Sequence, residues 1–180
     1  NLYYNLKKLL LILLCLPMIV FGQKNNFGTL LGDYEVIKNH PNAKGLDFIF
    51  RKPFGYNEIS PTSQNTVKLY SSGNSSISDR EIIFQVFDYK TYFPEGEYIN
   101  NSSIFEMIEI LKQNNPSTEY YAIGKYPGYI FKKRKEHYTS LQINIFLEDV
   151  FFVISFTSVY IIGPSDIKYL KKIANAVLFD

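Results

Sequence analysis

Leu141-Gln142-Ile143-Asn144-Ile145-Phe146-Leu147, followed by Glu148-Asp149 and then by Phe151 to Tyr160, is the stretch that decides the fold. Leu141, Ile143, Ile145 and Leu147 alternate with Gln142, Asn144 and Phe146, which is the period of a strand with one face against a core. Glu148-Asp149 is a short polar interruption that turns this strand back into the next. Phe151-Phe152-Val153-Ile154-Ser155-Phe156 opens the second strand apolar on both faces, so the sheet there must be covered on both sides. Gly163-Pro164 breaks it, Ser165 is placed to cap a helix, and Ile167, Leu170, Ile173, Ala174 and Val177 recur at helical spacing.

Upstream, the same reading yields strands at Leu46–Arg51, Thr66–Tyr70 and Ile82–Tyr89, with a turn at Pro53–Gly55 and a polar loop over Ser71–Ser78 containing Gly73-Asn74. Ser103 and Glu106 have the S-x-x-E spacing of a capping box, and Ile104, Met107, Ile108 and Leu111 make an apolar stripe that Asn114-Asn115-Pro116 ends. Two further strands are expected at Tyr120–Lys125 and Tyr129–Arg134, turning at Pro127-Gly128. Short turns between neighbouring strands favour antiparallel pairing. The expectation is an α+β fold, with an antiparallel β-sheet sandwiched by helices.

The first residues read differently. Lys7 and Lys8 precede an unbroken apolar run, Leu9–Leu16, continued by Pro17–Phe21. The run is shorter than the ~20 apolar residues of a membrane span, and Gly22 sits before polar Gln23-Lys24-Asn25-Asn26. Residues 1–22 are therefore expected to be a cleaved signal peptide, residues 23–44 a polar lead-in along the domain edge, and residues 45–180 one domain. Cys15 raises the alternative of an acylated lipoprotein, but it lies inside the apolar run with Leu14 before it. The expected location is periplasmic or secreted, with no membrane span after cleavage.

Composition narrows the function classes. The 180-residue chain less this leader is one ordinary domain, large enough to bury roughly 70% of its unfolded surface. Its one cysteine leaves with the leader, and so do two of its lysines, which brings the formal charge of +2 to zero. A neutral domain argues against nucleic-acid binding. His40 and His137 are far apart and no H-x-x-x-H spacing exists, so neither a metal site nor a cofactor is expected. His40 is expected in solvent, His137 in a loop or at a strand end. No G-x-S-x-G elbow or Gly-rich phosphate loop is present. The acid pairs Glu95 with Glu97 and Glu148 with Asp149 fall at expected turns, where water solvates them.

Lys132-Lys133-Arg134-Lys135 is the densest charge cluster. On a strand, Lys132 and Arg134 share one face and Lys133 and Lys135 the other. Four cations on one segment attract an acidic partner or headgroup, and lysine at a strand end also deters edge pairing. Tyr120, Tyr121, Tyr126 and Tyr129 crowd the same region, where phenols can line a groove while their rings pack.

Gly45-Leu46-Asp47-Phe48-x-Phe50, followed by Pro53-Phe54-Gly55-Tyr56, resembles the opening strand and P-x-G-W turn of PsbP-like domains, with Tyr56 in the place of the usual Trp. The closing Leu170-x-x-Ile173-x-x-x-Val177-x-Phe179 resembles their last helix and tail. The resemblance covers most of Gly45–Asp180. It implies an antiparallel sheet between helical layers, the PsbP-like α/β/α sandwich, and a non-catalytic accessory or binding role.

The leading expectation is an exported, non-enzymatic domain that binds an unknown protein or small ligand in the envelope, through Lys132, Lys133, Arg134, Lys135, Tyr126 and Tyr129. The alternatives are an envelope hydrolase using Glu95, Glu97 or Asp149, and a structural subunit of an envelope complex. Mass spectrometry of protein recovered from the producing cell is expected to find Gln23 at the amino terminus. A lipid on Cys15 or an intact leader would overturn the processing reading.

Overall fold

The computed structural model describes residues 31–61, 63–73, 79–92 and 99–180. The expected leader, and the pair Glu95 with Glu97, lie outside these residues.

The strands are β1 (Leu31–Ile37), β2 (Phe48–Pro53), β3 (Asn57–Ile59), β4 (Thr66–Ser71), β5 (Arg80–Asp88), β6 (Glu119–Ile123), β7 (Tyr126–Arg134), β8 (Thr139–Leu147), β9 (Val150–Ser158) and β10 (Leu178–Phe179). The helices are α1 (Tyr89–Tyr92), α2 (Ser103–Asn114) and α3 (Pro164–Ala174). Seven strands form an antiparallel sheet in the order β3-β4-β5-β9-β8-β7-β6, and β1-β2-β10 form a small second sheet. The α+β class read from the sequence is the one observed.

Alternation distributes the core over both faces of the large sheet. Phe84 of β5, Ile143 of β8 and Phe152 of β9 point to one face, where they bury against Phe48 and Phe50 of β2 and Leu170 and Ile173 of α3. Phe50 stacks on Phe84 with ring centroids 4.3 Å apart. The opposite face presents Phe146, which packs with Ile104 and Ile108 of α2 and with Tyr89. The polar lead-in contributes β1, which pairs with β2 from Leu31↔Pro53 to Ile37↔Phe48. Lys68 ties the two sheets: its Nζ lies 2.5 Å from Glu58 on β3 and 3.2 Å from Glu35 on β1. Burial lowers the Lys68 pKa, but the bonds to Glu58 and Glu35 outweigh it and hold the amine above its ordinary value.

Several local expectations shift. The capping box sits one turn upstream of Ser103–Glu106. The backbone N–H groups of Ser102 and Ser103 donate to Asn100 Oδ1 at 2.8 and 3.0 Å, and the Asn100 N–H donates back to Ser103 Oγ at 3.1 Å. Asparagine satisfies the orphan donors as well as serine does, so the spacing alone did not choose between them. In α3 the cap is Gly163 rather than Ser165. Pro164 takes the first helical position, and the Gly163 N–H donates to Asp166 Oδ2 at 2.9 Å.

The β6–β7 turn is Gly124-Lys125, not Pro127-Gly128. Ile123 pairs with Tyr126 across it, and Gly124 has φ +58°, a left-handed conformation that glycine adopts without penalty. Pro127 and Gly128 lie inside β7. Gly128 is there because β8 passes too close for a side chain: a Cβ would overlap the Asn144 carbonyl and approach Ile145 Cδ1 to 2.8 Å.

Gly128→Ala is accordingly expected to destabilise by about 1–3 kcal/mol through overpacking. Urea unfolding measures it, and a change within error would show that β7 and β8 can separate there without loss.

Candidate binding face

The register of four strands arranges the α2-side face of the sheet in rows. Lys133 pairs with Ser140, Ser140 with Thr157, and Thr157 with Glu81. The next row is Phe131, Gln142, Ser155 and Ile83, then Tyr129, Asn144, Val153 and Gln85. The last is Phe146, Phe151 and Phe87. Polarity therefore runs along the strands, from aromatic at the α1–α2 end to charged and hydroxylated at the other.

Helix α2 covers only the aromatic end. Beyond it the face opens into a trough of 330 Å³, with Gln142, Ser155 and Thr157 among its floor residues and Lys133, Lys135 and Tyr138 at its border. A second groove of 460 Å³ runs between the end of α2 and β7, lined by Leu111, Asn115, Tyr129, Phe131 and Lys133. Phe131 and Lys133 border both.

Polar atoms on this face are not all paired within the protein. Ser155 and Asn144 are each 3% exposed, and the Ser155 hydroxyl and the Asn144 Nδ2 have no hydrogen-bond partner. A buried polar group left so costs on the order of 1–3 kcal/mol.

The predicted cations divide between the faces as their alternation requires. Lys133 and Lys135 border the trough. Lys132 turns the other way and donates from Nζ to the Ile162 carbonyl at 2.6 Å, so it holds the segment before α3. Its backbone is also held: Ser117 Oγ donates to the Lys132 carbonyl at 2.9 Å and accepts from its N–H at 2.8 Å, closing the β7 edge. Arg134 is exposed.

The tyrosines divide as well. Tyr129 lines the α2 groove, whereas Tyr126 lies on the opposite face with its ring 5.4 Å from Phe179. Tyr120 stacks on Phe105 at 5.0 Å. Tyr121 donates to Asn175 Oδ1 at 2.6 Å and anchors the end of α3.

His40 is half-buried rather than in solvent: its Nδ1 accepts from the Asn42 N–H at 3.3 Å, and burial lowers its pKa. His137 is exposed in the β7–β8 turn, and Asp149 is exposed in the β8–β9 turn. Among the described residues there is no group of three His, Cys, Asp or Glu placed to hold a metal ion. No helix among them is long and apolar enough to cross a membrane.

No family model matches the sequence, and no curated protein matches it. Among solved structures, the cyanobacterial PsbP (CyanoP) of Synechocystis sp. PCC 6803 aligns with a TM-score of 0.50 at 6% identity, over 84% of this chain and 95% of that one. The fold resembles that of PsbP. A crystal structure from Bacteroides thetaiotaomicron VPI-5482 aligns with a TM-score of 0.51 at 16% identity, over 83% of this chain and 48% of that chain, so this chain spans about half its length. The P-x-G-Y turn that carried the resemblance in sequence places Tyr56 in the core, stacked on Tyr169 of α3 at 6.5 Å.

Sequence reading missed Gln85, Gln142, Ser155 and Thr157 as candidates. Their signal was the polar half of each strand's alternation, but which of them share a row depends on register.

Burial pushes the Tyr129 phenol up to about 12, from an ordinary value of 10. Its folded pKa exceeds its unfolded one, so its contribution to stability is complete below pH 10 and is lost as pH rises through about 12. Tyr129→Phe is expected to change stability by less than about 1 kcal/mol at neutral pH. It should also flatten the alkaline loss measured by urea midpoints. A variant with the parental alkaline slope would place the phenol in solvent.

Proposed function

We propose that the protein is an exported, non-catalytic binding domain of the cell envelope, and that the open end of the α2-side sheet face is where it binds. The supporting observation is that, among the described residues, coverage of this face stops where its side chains become polar, leaving a trough with Lys133 and Lys135 at its border. The fold likeness to PsbP supports a domain whose distinctive residues maintain shape, and the pattern of residues 1–22 supports export.

The occupant carries negative charge. Among the described residues two lysines and no acid line the trough, and Arg134, exposed on the alternate face of β7, adds positive charge to the same strand end. Lys132 is left out of the binding set because its amine is engaged with Ile162.

The test is crosslinking in the producing cell, with bound species identified by mass spectrometry, for the parent and for Lys133→Glu/Arg134→Glu/Lys135→Glu. The parent is expected to crosslink a defined acidic species, in an association that weakens as salt shortens the screening length to about 3 Å at 1 M. The triple reversal is expected to lose it. Retention of the same species by the reversed protein, at the same salt, would sink this reading.

A further inference from the structure

The trough's chemistry goes further than charge. We propose that it is a binding site for an acidic saccharide: a short sugar carrying a carboxylate, held by hydroxyl and amide side chains along the sheet rows with its carboxylate toward Lys133 and Lys135. This rests on the proposed binding face and names the ligand class it takes.

Three observations favour a sugar over other anions. First, the floor offers groups that both donate and accept. Ser140, Ser155 and Thr157 carry hydroxyls and Gln142 and Gln85 carry amides, the Gln85 Nε2 donating also to Thr66 Oγ1 at 3.5 Å. Sugar hydroxyls have the same dual character, and the Ser155 hydroxyl is nine-tenths buried without a protein partner. Second, Phe131 and Tyr138 flank the floor and supply apolar faces for the C–H side of a sugar ring. Third, the row from Lys133 through Ser140 to Thr157 spans two strand spacings, about 10 Å of backbone. Its cationic end suits a carboxylate, and the Ser140 and Thr157 hydroxyls along it bond sugar hydroxyls. A single small ion would occupy only one end.

The alternatives fit less well. Among the described residues no arginine lines the trough, so the bidentate fork that recognises phosphate is missing there. The backbone groups of its central strands are used in the ladder on both sides, so an extended acidic peptide finds side chains but no open edge to pair with.

The experiment titrates the mature protein with digalacturonate, a glucuronate disaccharide and a sialylated disaccharide. Maltose, inorganic phosphate and a Glu-rich peptide serve as comparators. Affinity is read by calorimetry, and the site by NMR shifts of the Gln85 and Gln142 side-chain amides and the Ser155 backbone amide. At least one acidic saccharide is expected to shift these signals, and maltose to bind at least about tenfold more weakly. Lys133→Gln/Lys135→Gln is expected to erase that preference, and Ser155→Val to weaken binding about three- to tenfold while Lys112→Gln changes nothing.

The shift map on the parent decides the matter even where Ser155→Val does not fold. The inference is overturned if no acidic saccharide shifts these signals at millimolar concentration. It is also overturned if phosphate or the peptide binds there as tightly, or if the shifts fall elsewhere. Failure of the sugars while the triple reversal still abolishes crosslinking removes only this inference. Failure of both removes the binding face itself.

Discussion

The two-residue turn at Glu148-Asp149 sets the register on which both sides of the molecule depend. It pairs Leu147 with Val150, and from there every residue of β8 meets a fixed partner on β9 as far as Thr139↔Ser158. Side chains alternate with a period of two, so a slip of one residue would carry Ile143, Ile145, Phe152 and Ile154 to the wrong face. The turn holds Glu148 at φ +41°, a conformation most side chains avoid. The Asp149 carbonyl accepts from the Tyr89 N–H at 2.9 Å, so the same corner also ties down the end of β5.

Given that register, the two faces are covered by different means. One lies under β1-β2-β10 and α3, with aromatic rings in contact from Phe50 through Phe84 and Phe152 to Phe179. Among the described residues the other carries α1 and α2. Helix α2 ends at Asn114, and the Asn115 N–H still donates to the Leu111 carbonyl at 2.9 Å before Pro116 diverts the chain. Among the described residues cover ends with it, over the row that holds Phe131, Gln142 and Ser155. The trough is thus a consequence of helix length set against strand length. Its polar lining is what allows that half of the sheet to remain open.

The likeness to PsbP lies in architecture. The residues that carry it in sequence are structural: Tyr56 packs on Tyr169, and Leu170, Ile173 and Val177 are buried. None of them borders the trough. Shape and candidate site therefore reside in different residues.

Much of the fold was legible in the sequence because burial imposes periodicity. Leu141 to Leu147 had to be a strand with its odd positions in a core, Phe151 to Phe156 had to be covered on both sides, and Ile104 and Ile108 had to face inward from a helix. Caps and tight turns were less legible. Asn100 and Gly163 do work that Ser103 and Ser165 could equally have done, and Gly128 looks like a turn until the closeness of β8 is known. The cation cluster on β7 was visible, as was its division into two faces. That Lys132 would be engaged by Ile162, and Tyr126 by Phe179, was not. Sequence by itself determined the strands other than β1, β3 and β10, their antiparallel habit and the charge on β7, because each follows from neighbours along the chain. Only the tertiary structure decided that Lys133, Gln142, Ser155 and Gln85 share one open face, because strand register and the stopping point of α2 join residues the chain keeps apart.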